Sequence, residues 1–142
     1  MRLNVEIKGS GADGLLTLPL AVEALRRHGL CDETVLSSFH EPILRRAAAD
    51  APDIARAFIF DARIAGDGLA IARANGCEAV HPQHGLVDEA MIARCRDAGL
   101  RVRAWTVNEP ADVLRMMALQ ADGIVSDDTG RVRELRDTMP AS

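Results

Sequence analysis

The sequence predicts an α/β protein of the (β/α)8 TIM-barrel type, incomplete at about six βα units. Strand-like and helix-like segments alternate throughout the 142 residues. From the second strand onward, strands recur about every 21 to 23 residues, as in a parallel sheet joined by helices. A doubly wound sheet would give the same spacing. The barrel is favoured because polar or bulky residues follow several strands, and barrel enzymes collect their working residues at those strand ends.

The first predicted strand alternates strictly between apolar and polar residues. Successive side chains of a strand point to opposite faces, so Leu3, Val5 and Ile7 share an apolar face. The opposite face carries a polar set: Asn4, Glu6 and Lys8. A carboxylate and an ammonium two residues apart, followed by Gly9, are typical of a strand end that projects catalytic groups.

The remaining elements follow in order along the chain. Further aliphatic segments are predicted as strands: Thr34–Phe39, Arg56–Phe60, Ala79–Pro82, Val102–Val107 and Gly123–Ser126. Segments rich in Ala, Leu and Arg are predicted as helices: Pro19–His28, Pro42–Ala49, Gly68–Ala74, Asp88–Ala98, Pro110–Leu119 and Thr129–Thr138. Each predicted strand is therefore followed by a helix, which is the βα repeat of a parallel sheet.

The helix ends carry recognisable signals. Proline is tolerated in a first helical turn, where we place Pro19, Pro42 and Pro110. Glycine is common just after a helix, where we place Gly29, Gly76 and Gly99. Side-chain oxygens that can cap a helix N-terminus are predicted at Asp88, Asp127 and Thr129.

The bulk composition indicates one soluble domain over residues 1–142. Apolar residues make up 48% and charged residues 27% of the chain. A net charge of −4 gives no electrostatic reason to expect a nucleic-acid partner. No apolar stretch is long enough to span a membrane, so no stable membrane insertion is expected. The cysteines lack metal-site spacing and are interpreted as reduced, which favours a cytoplasmic protein: Cys31, Cys77 and Cys95.

The predicted barrel is short by about two units, because an eight-stranded barrel needs about 200 residues or more. An incomplete barrel exposes two strand edges, and each edge is a row of unpaired main-chain groups open to association. Two alternatives follow. Either the chain is a fragment, or a partner closes the barrel, which includes homo-association through the open sheet edges.

Four segments carry a family resemblance. They are Asn4–Lys8 (NVEIK), Val35–Phe39 (VLSSF), Gly99–Asn108 (GLRVRAWTVN) and Ala121–Asp127 (ADGIVSD). In this order and spacing, they resemble strand motifs of the glycerophosphodiester phosphodiesterase family. The first and third segments are the most specific. Together the four cover almost the whole chain.

The resemblance implies a fold and an activity. The family has a (β/α)8 barrel and uses a divalent metal to hydrolyse glycerophosphodiesters to glycerol 3-phosphate and an alcohol. Aligned this way, the chain runs from the third strand to the eighth, without the H-R-G and E-x-D segments. No histidine of the chain matches the family's general acid or base: His28, His40, His81 or His84. We therefore expect this chain alone to hydrolyse little or nothing.

The resemblance also implies roles for individual residues. Glu6 is expected to bind the divalent cation, Mg²⁺ or Ca²⁺, and Lys8 to act catalytically beside the phosphate oxygens. Trp105 is expected to contact the glycerol moiety of a small-molecule glycerophosphodiester. Ser38 and Phe39 are the other substrate-binding candidates, although alternation allows only one of them to line the site. The structural alternatives are a Glu6–Lys8 ion pair at the rim and core packing of Trp105.

Two further expectations concern the strands near this site. In the predicted strand Val102–Val107, Trp105 shares a face with Arg103 and Val107. His81, which precedes Pro82, is expected to make a local structural hydrogen bond rather than contact a ligand.

The sequence leaves more than one function open. A phosphodiester hydrolase is favoured by the resemblance. The alternative is a non-catalytic half-barrel that self-associates or binds a partner. A different phosphate-handling barrel, such as a phosphoinositide-cleaving or sphingomyelin-cleaving enzyme, is disfavoured by the combination of the NVEIK and WTVN segments.

Overall fold

The computed structural model describes residues 3–9, 12–64 and 66–138, in which strands and helices alternate. The strands are β1 Leu3–Glu6, β2 Thr34–Ser38, β3 Ala55–Phe60, β4 Ala79–Pro82, β5 Arg101–Ala104 and β6 Gly123–Ile124. The helices are α1 Ala12–Arg27, α2 Glu41–Asp50, α3 Gly68–Ala74, α4 Glu89–Asp97, α5 Pro110–Ala118 and α6 Thr129–Thr138. Short 3₁₀ turns lie at Cys31–Glu33 and His84–Leu86. None of the helices described combines the length and apolarity needed to cross a bilayer.

The strands form a single parallel sheet in the order of the chain, β1 to β6. Each helix therefore returns the chain to the same end of the sheet before the next strand begins. The sheet is curled, because Asn4 of β1 and Arg103 of β5 line one small cavity. The molecule is a curled half-barrel, which confirms the predicted incomplete TIM-barrel fold.

Two different packings fill the faces of the sheet. The outer face, with large side chains such as Phe58 and Val102, packs against helix residues such as Met116 of α5, and each of the three is almost fully buried. The inner face has a cluster of small side chains that includes Ala57 and Ala79. Small residues inside the barrel leave space at the mouth, where the polar residues of the strand ends lie.

Several helix ends confirm the predicted signals. Gly29, Gly76 and Gly99 follow α1, α3 and α4 with φ of 66°, 61° and 69°. These values lie in the left-handed region that favours glycine. Asp88 caps α4, since its carboxylate accepts a hydrogen bond of 2.7 Å from the main-chain nitrogen of Met91.

The prediction that Pro19 lies in a first helical turn was wrong. Helix α1 already begins at Ala12, so Pro19 lies inside it. Pro19 has no N–H, which leaves the carbonyl of Leu15 without its usual helical donor. The helix nevertheless continues. Leu18 and Val22 on either side of the proline are buried in the core, and their packing outweighs the local loss.

The predicted caps of the last helix were also wrong. Asp128 caps α6 by accepting a hydrogen bond of 2.9 Å from the nitrogen of Arg131, and Thr129 is already the first helical residue. The carboxylate of Asp127 instead accepts a hydrogen bond from the side-chain amide of Asn108. A shift of one residue in the helix start accounts for both differences.

Candidate functional site

A cavity of about 250 Å³ opens at the carboxyl-terminal ends of the strands. We call it the rim cavity. Its wall includes Glu6, Lys8, Phe39, His81 and Trp105. The structure therefore brings together four of the five site residues expected from the sequence, and it adds His81. The side chains of residues 6 and 105 face the same space although they are far apart along the chain.

Glu6 and Lys8 reach the cavity because the alternation of β1 continues past its last paired residue. Ile7 between them is 3% exposed and packs outward in the core, and its nitrogen donates a hydrogen bond to the carbonyl of Ser37. Glu6 and Lys8 are both exposed, and no ion pair joins them in the part of the chain that the structure describes. Lys8 is the only lysine of the chain, a signal that the sequence analysis did not use.

A second cavity of about 550 Å³, the side cavity, adjoins the first and shares Glu6, Lys8 and Phe39 with it. Asp61 and Arg63 also line the side cavity, and they form an ion pair of 2.6 Å. The hydrogen bonds from Arg63 lower the pKa of the Asp61 carboxyl below its ordinary value. Asp61 is therefore ionised and already bound to a cation of the protein.

The described residues do not complete a site for a divalent cation. No group of three or more acidic, histidine or cysteine side chains with metal-binding geometry exists among them. Calcium takes six to eight oxygen ligands and magnesium six. Within the described ranges, Glu6 is the only carboxylate on the wall of the rim cavity. It can supply one such ligand and no more than that.

Two aromatic rings form one side of the rim cavity. Phe39 and Trp105 meet edge to face, with ring centroids 5.4 Å apart and an interplanar angle of 82°. Both side chains are half-buried, with part of each surface facing the cavity. The indole nitrogen of Trp105 donates a hydrogen bond of 2.7 Å to the carbonyl of His81. The indole is therefore fixed at the cavity wall rather than enclosed in the core.

The prediction that Val107 shares a face with Trp105 was wrong. Strand β5 ends at Ala104, and Trp105 keeps only an isolated bridge to Gln83. Beyond that bridge the regular alternation of a strand no longer applies. Val107 is fully buried in the outer core, and its nitrogen bonds to the carbonyl of Val125.

The two serines of β2 have different surroundings. Ser38 is fully buried away from the rim cavity, where its hydroxyl donates to the carbonyl of Ile7 and accepts from the nitrogen of His40, at 2.9 and 3.2 Å. Phe39 is thus the member of the expected pair that lines the cavity. Ser37 shares the inner face with Phe39. In the described part of the chain, its hydroxyl is a buried polar group without a hydrogen-bond partner.

His81 belongs to a polar network inside the barrel that the sequence analysis missed. Its Nε2 lies 3.3 Å from Nη1 of Arg103, which also pairs with Glu78 at 3.3 Å. Burial and, to a smaller extent, the positive charge of Arg103 together lower the pKa of His81 to about 4. The contact is long-range, not the local hydrogen bond that was expected. The sequence did contain a signal for this network, because His81 and Arg103 are polar residues on neighbouring strands that are otherwise mostly apolar.

Asn108 connects the loops that follow β5 and β6. Its side-chain oxygen accepts hydrogen bonds from the hydroxyl of Ser126 and the nitrogen of Asp127, at 3.1 and 3.0 Å. Its amide donates to the carboxylate of Asp127 at 2.8 Å. These bonds hold the last loop against the rim beside Trp105.

Comparison with known proteins identifies the family. The profile of the Glycerophosphoryl diester phosphodiesterase family matches residues 12–131. The chain belongs to this family. The matched range includes Phe39, His81 and Trp105, whereas Glu6 and Lys8 lie just before it.

Individual relatives agree with this assignment. Uncharacterized protein YqiK of Bacillus subtilis (strain 168) is 31% identical over 127 residues, which are 88% of this chain and 52% of that protein. A crystal structure from Silicibacter pomeroyi DSS-3, designated a glycerophosphoryl diester phosphodiesterase, matches with a TM-score of 0.86 and 29% identity. The match covers 96% of this chain and 50% of that one.

A further solved structure comes from Oleispira antarctica and is a phosphodiesterase in complex with the product sn-glycerol-3-phosphate. It matches with a TM-score of 0.85 and 28% identity, over 97% of this chain and 56% of that chain. The present chain spans about half the length of the curated relatives it matches.

Proposed function

We propose that this chain contributes to the hydrolysis of a glycerophosphodiester to glycerol 3-phosphate and an alcohol. The observation that carries the proposal is the rim cavity, which combines a carboxylate, an ammonium and an aromatic wall at the mouth of the half-barrel. Family membership supports the reaction class. The product bound to the related Oleispira antarctica enzyme supports glycerol 3-phosphate as the ligand.

Lys8 binds the phosphate in this proposal. Its ammonium group is exposed, has no ion-pair partner within the described ranges and lines both cavities. A free ammonium attracts the phosphate oxygens and stabilises the negative charge that grows on them in the transition state. Ser38 acts as a positioning residue, since its two hydrogen bonds join the chain at Ile7, one residue before Lys8, to the end of β2.

Glu6 provides one oxygen ligand for a divalent cation in this proposal. A bound cation would polarise the phosphoryl group. The other ligands have to come from outside the described residues, because Glu6 is not part of a larger acidic cluster there. Phe39 and Trp105 offer an apolar surface for the carbon atoms of the glycerol moiety.

The isolated chain is expected to turn over substrate slowly or not at all. Among described residues, the ionisable groups of the rim cavity are one carboxylate, one ammonium and a histidine whose pKa is lowered to about 4. One carboxylate binds a cation weakly, and a histidine that stays neutral is a poor proton donor near neutral pH. Steady turnover of glycerophosphocholine that Glu6→Ala abolishes would contradict this expectation.

Ligand binding tests the proposal without requiring turnover. The purified chain is titrated with sn-glycerol 3-phosphate in the presence and absence of Mg²⁺ or Ca²⁺, with the fluorescence of Trp105 as the signal. We expect Lys8→Gln to weaken binding by about tenfold or more, as for the loss of a charged hydrogen bond. We expect Glu6→Gln to remove the effect of the cation.

Matched variants separate these effects from a general change in charge. Glu134→Gln and Arg133→Gln alter exposed residues of α6 and should leave binding unchanged. Because Lys8 is the only lysine, an amine-reactive reagent should label it, and glycerol 3-phosphate should protect it. Equal affinity in the unaltered chain, Lys8→Gln and Glu6→Gln would overturn the assignment of this cavity.

A second candidate function is self-association through the open sheet edges. Among the described residues, β1 pairs only with β2, and β6 pairs only with β5. Next to the β1 edge, α1 exposes Leu16 and Leu20 to 69% and 68%. Residues four apart lie on the same side of a helix, so the two leucines form one apolar surface that a second copy of the chain could cover.

Sedimentation tests this candidate. If the chain self-associates through this surface, the double substitution Leu16→Ser and Leu20→Ser should shift the dimer towards monomer. Leu114→Ser on α5, where the leucine is 39% exposed, should not change the distribution. A monomer at all accessible concentrations of the unaltered chain would rule the candidate out.

A further inference from the structure

Within the described residues, the imidazole of His81 has a hydrogen bond on one nitrogen only. Its Nε2 lies 3.3 Å from Nη1 of Arg103. A guanidinium group can donate hydrogen bonds but cannot accept them, so Nε2 must be the acceptor. A neutral imidazole that accepts at Nε2 carries its proton on Nδ1. The contact with Arg103 therefore determines the tautomer.

The Nδ1–H group faces available space. The side chain of His81 is 3% exposed and lies on the wall of the rim cavity. In the described part of the chain, Nδ1 has no hydrogen-bond partner. Among the residues that the structure describes, the hydroxyl of Ser37 is the only fully enclosed side-chain polar atom without a partner, so Nδ1 of His81 is not fully enclosed. The ring thus offers the cavity a donor that no described group of the protein accepts from.

We propose that His81 determines specificity by donating a hydrogen bond from Nδ1 to a hydroxyl group of the glycerol moiety. This inference rests on the proposed function of the rim cavity and assigns a role to a residue that the sequence analysis treated as structural. Arg103 is a positioning residue in this arrangement. It holds the tautomer, and its own orientation is stabilised by the ion pair with Glu78.

The position of the donor favours a hydroxyl group over the phosphate. Lys8 already attracts the phosphate in the proposed arrangement, so the imidazole is available to another part of the ligand. His81 and Trp105 line the same cavity, and the indole nitrogen of Trp105 bonds to the main-chain carbonyl of His81. His81 is therefore close to the aromatic surface that contacts the glycerol carbons. A hydroxyl attached to those carbons is the nearest acceptor that the substrate can offer.

Two variants of the chain and a set of small ligands test the proposal. His81→Leu removes the donor but keeps an apolar side chain of similar size, whereas His81→Asn keeps an amide N–H close to the position of Nδ1. We expect His81→Leu to bind sn-glycerol 3-phosphate about threefold to tenfold more weakly, the usual effect of losing a neutral hydrogen bond. His81→Asn should recover most of the affinity. Binding of inorganic phosphate should be the same in all three proteins.

Ligands that lack one hydroxyl make the test independent of folding. One of the two analogues, 1,3-propanediol monophosphate or 1,2-propanediol 1-phosphate, lacks the hydroxyl that accepts from His81. The unaltered chain should bind that analogue about threefold to tenfold more weakly than glycerol 3-phosphate. In His81→Leu this difference should disappear. Nitrogen NMR of the unaltered chain should show the Nδ1–H tautomer, and its proton signal should shift with glycerol 3-phosphate but not with inorganic phosphate.

The possible results are distinct. Equal loss of glycerol 3-phosphate and inorganic phosphate binding in His81→Leu would show a structural role and overturn the proposal. Equal affinity of the unaltered chain for all three organic phosphates would also overturn it, even if His81→Leu did not fold. In both of these cases the proposed function would stand. Failure of the unaltered chain to bind glycerol 3-phosphate would overturn the proposed function and this inference together.

Discussion

The indole nitrogen of Trp105 donates a hydrogen bond of 2.7 Å to the main-chain carbonyl of His81. This bond joins the end of β5 to β4 at a point where the regular ladder has been reduced to the isolated bridge between Gln83 and Trp105. It also fixes the indole beside the strand that carries His81, and both residues line the rim cavity. The orientation of the imidazole itself depends on its contact with Arg103.

Trp105→Phe should destabilise the protein by about 1 kcal/mol, because the carbonyl of His81 loses its donor. The free energy of unfolding is measured by urea denaturation followed by circular dichroism, since the substitution removes the only tryptophan. Phe39→Leu is the control, because it removes the edge-to-face ring contact but keeps the hydrogen bond. An unchanged free energy of unfolding in Trp105→Phe would contradict this role of the indole nitrogen.

His81 should make stability depend on pH below neutrality. Its pKa in the folded protein is about 4, whereas the ordinary value is 6.5. As the pH falls through 6.5, the unfolded chain takes up a proton that the folded chain does not, so the free energy of unfolding decreases. The decrease continues to a pH of about 4 and amounts to about 3 kcal/mol. Below that pH both states are protonated and this contribution stays constant.

Urea denaturation of the unaltered chain and His81→Asn at several pH values measures this effect by difference. The difference removes the contribution of the carboxylates that titrate in the same range. His28→Gln alters an exposed histidine and should leave the pH dependence almost intact. Arg103→Met should raise the pKa of His81 but not restore its ordinary value, because burial is the larger cause of the lowering. Parallel curves for the unaltered chain and His81→Asn would contradict the assignment.

Gly14→Ala should destabilise the protein by about 1 to 3 kcal/mol, although alanine favours helices. A Cβ atom at Gly14 would lie 2.8 Å from the carbonyl oxygen of Gly9 and even closer to the side chain of Ile43. Helix α1 therefore needs glycine in order to approach the end of β1. Gly130→Ala in α6 is the control, since its Cβ would have its nearest contact at 3.4 Å. It should stabilise the protein slightly, and a stabilising Gly14→Ala would refute this explanation.

Cys31 should react with iodoacetamide well before Cys77 and Cys95 in the folded protein. Burial raises the pKa of both Cys77 and Cys95 to about 11, and the thiolate is the reactive form of cysteine. Cys31 is half-buried. Peptide mapping by mass spectrometry after labelling at about pH 8 measures the order of reaction. All three should react in denaturant, and equal rates in the folded protein would disprove the prediction.

The strand alternation at the start of the chain was sufficient to place Glu6 and Lys8 on the same side, because that pattern is local. The family resemblance was sufficient to place Trp105 near them. Neither could assign Val107, because its orientation depends on the exact residue at which β5 leaves the sheet. Nor could local patterns decide whether Ser38 or Phe39, at the end of β2, lines the cavity. That choice follows from the hydrogen bonds of Ser38 to Ile7 and His40.

By itself, the sequence determined the order of strands and helices, the parallel sheet, the family and the polar face of β1. These features depend on periodicity, on turn and cap residues and on motifs, all of which act over short distances along the chain. Only the tertiary structure decided that His81 and Arg103 meet, that the imidazole donor faces the rim cavity and that Trp105 is fixed to β4. These contacts depend on the register between neighbouring strands and on the curl of the sheet, which are set by the packing of residues distant in sequence.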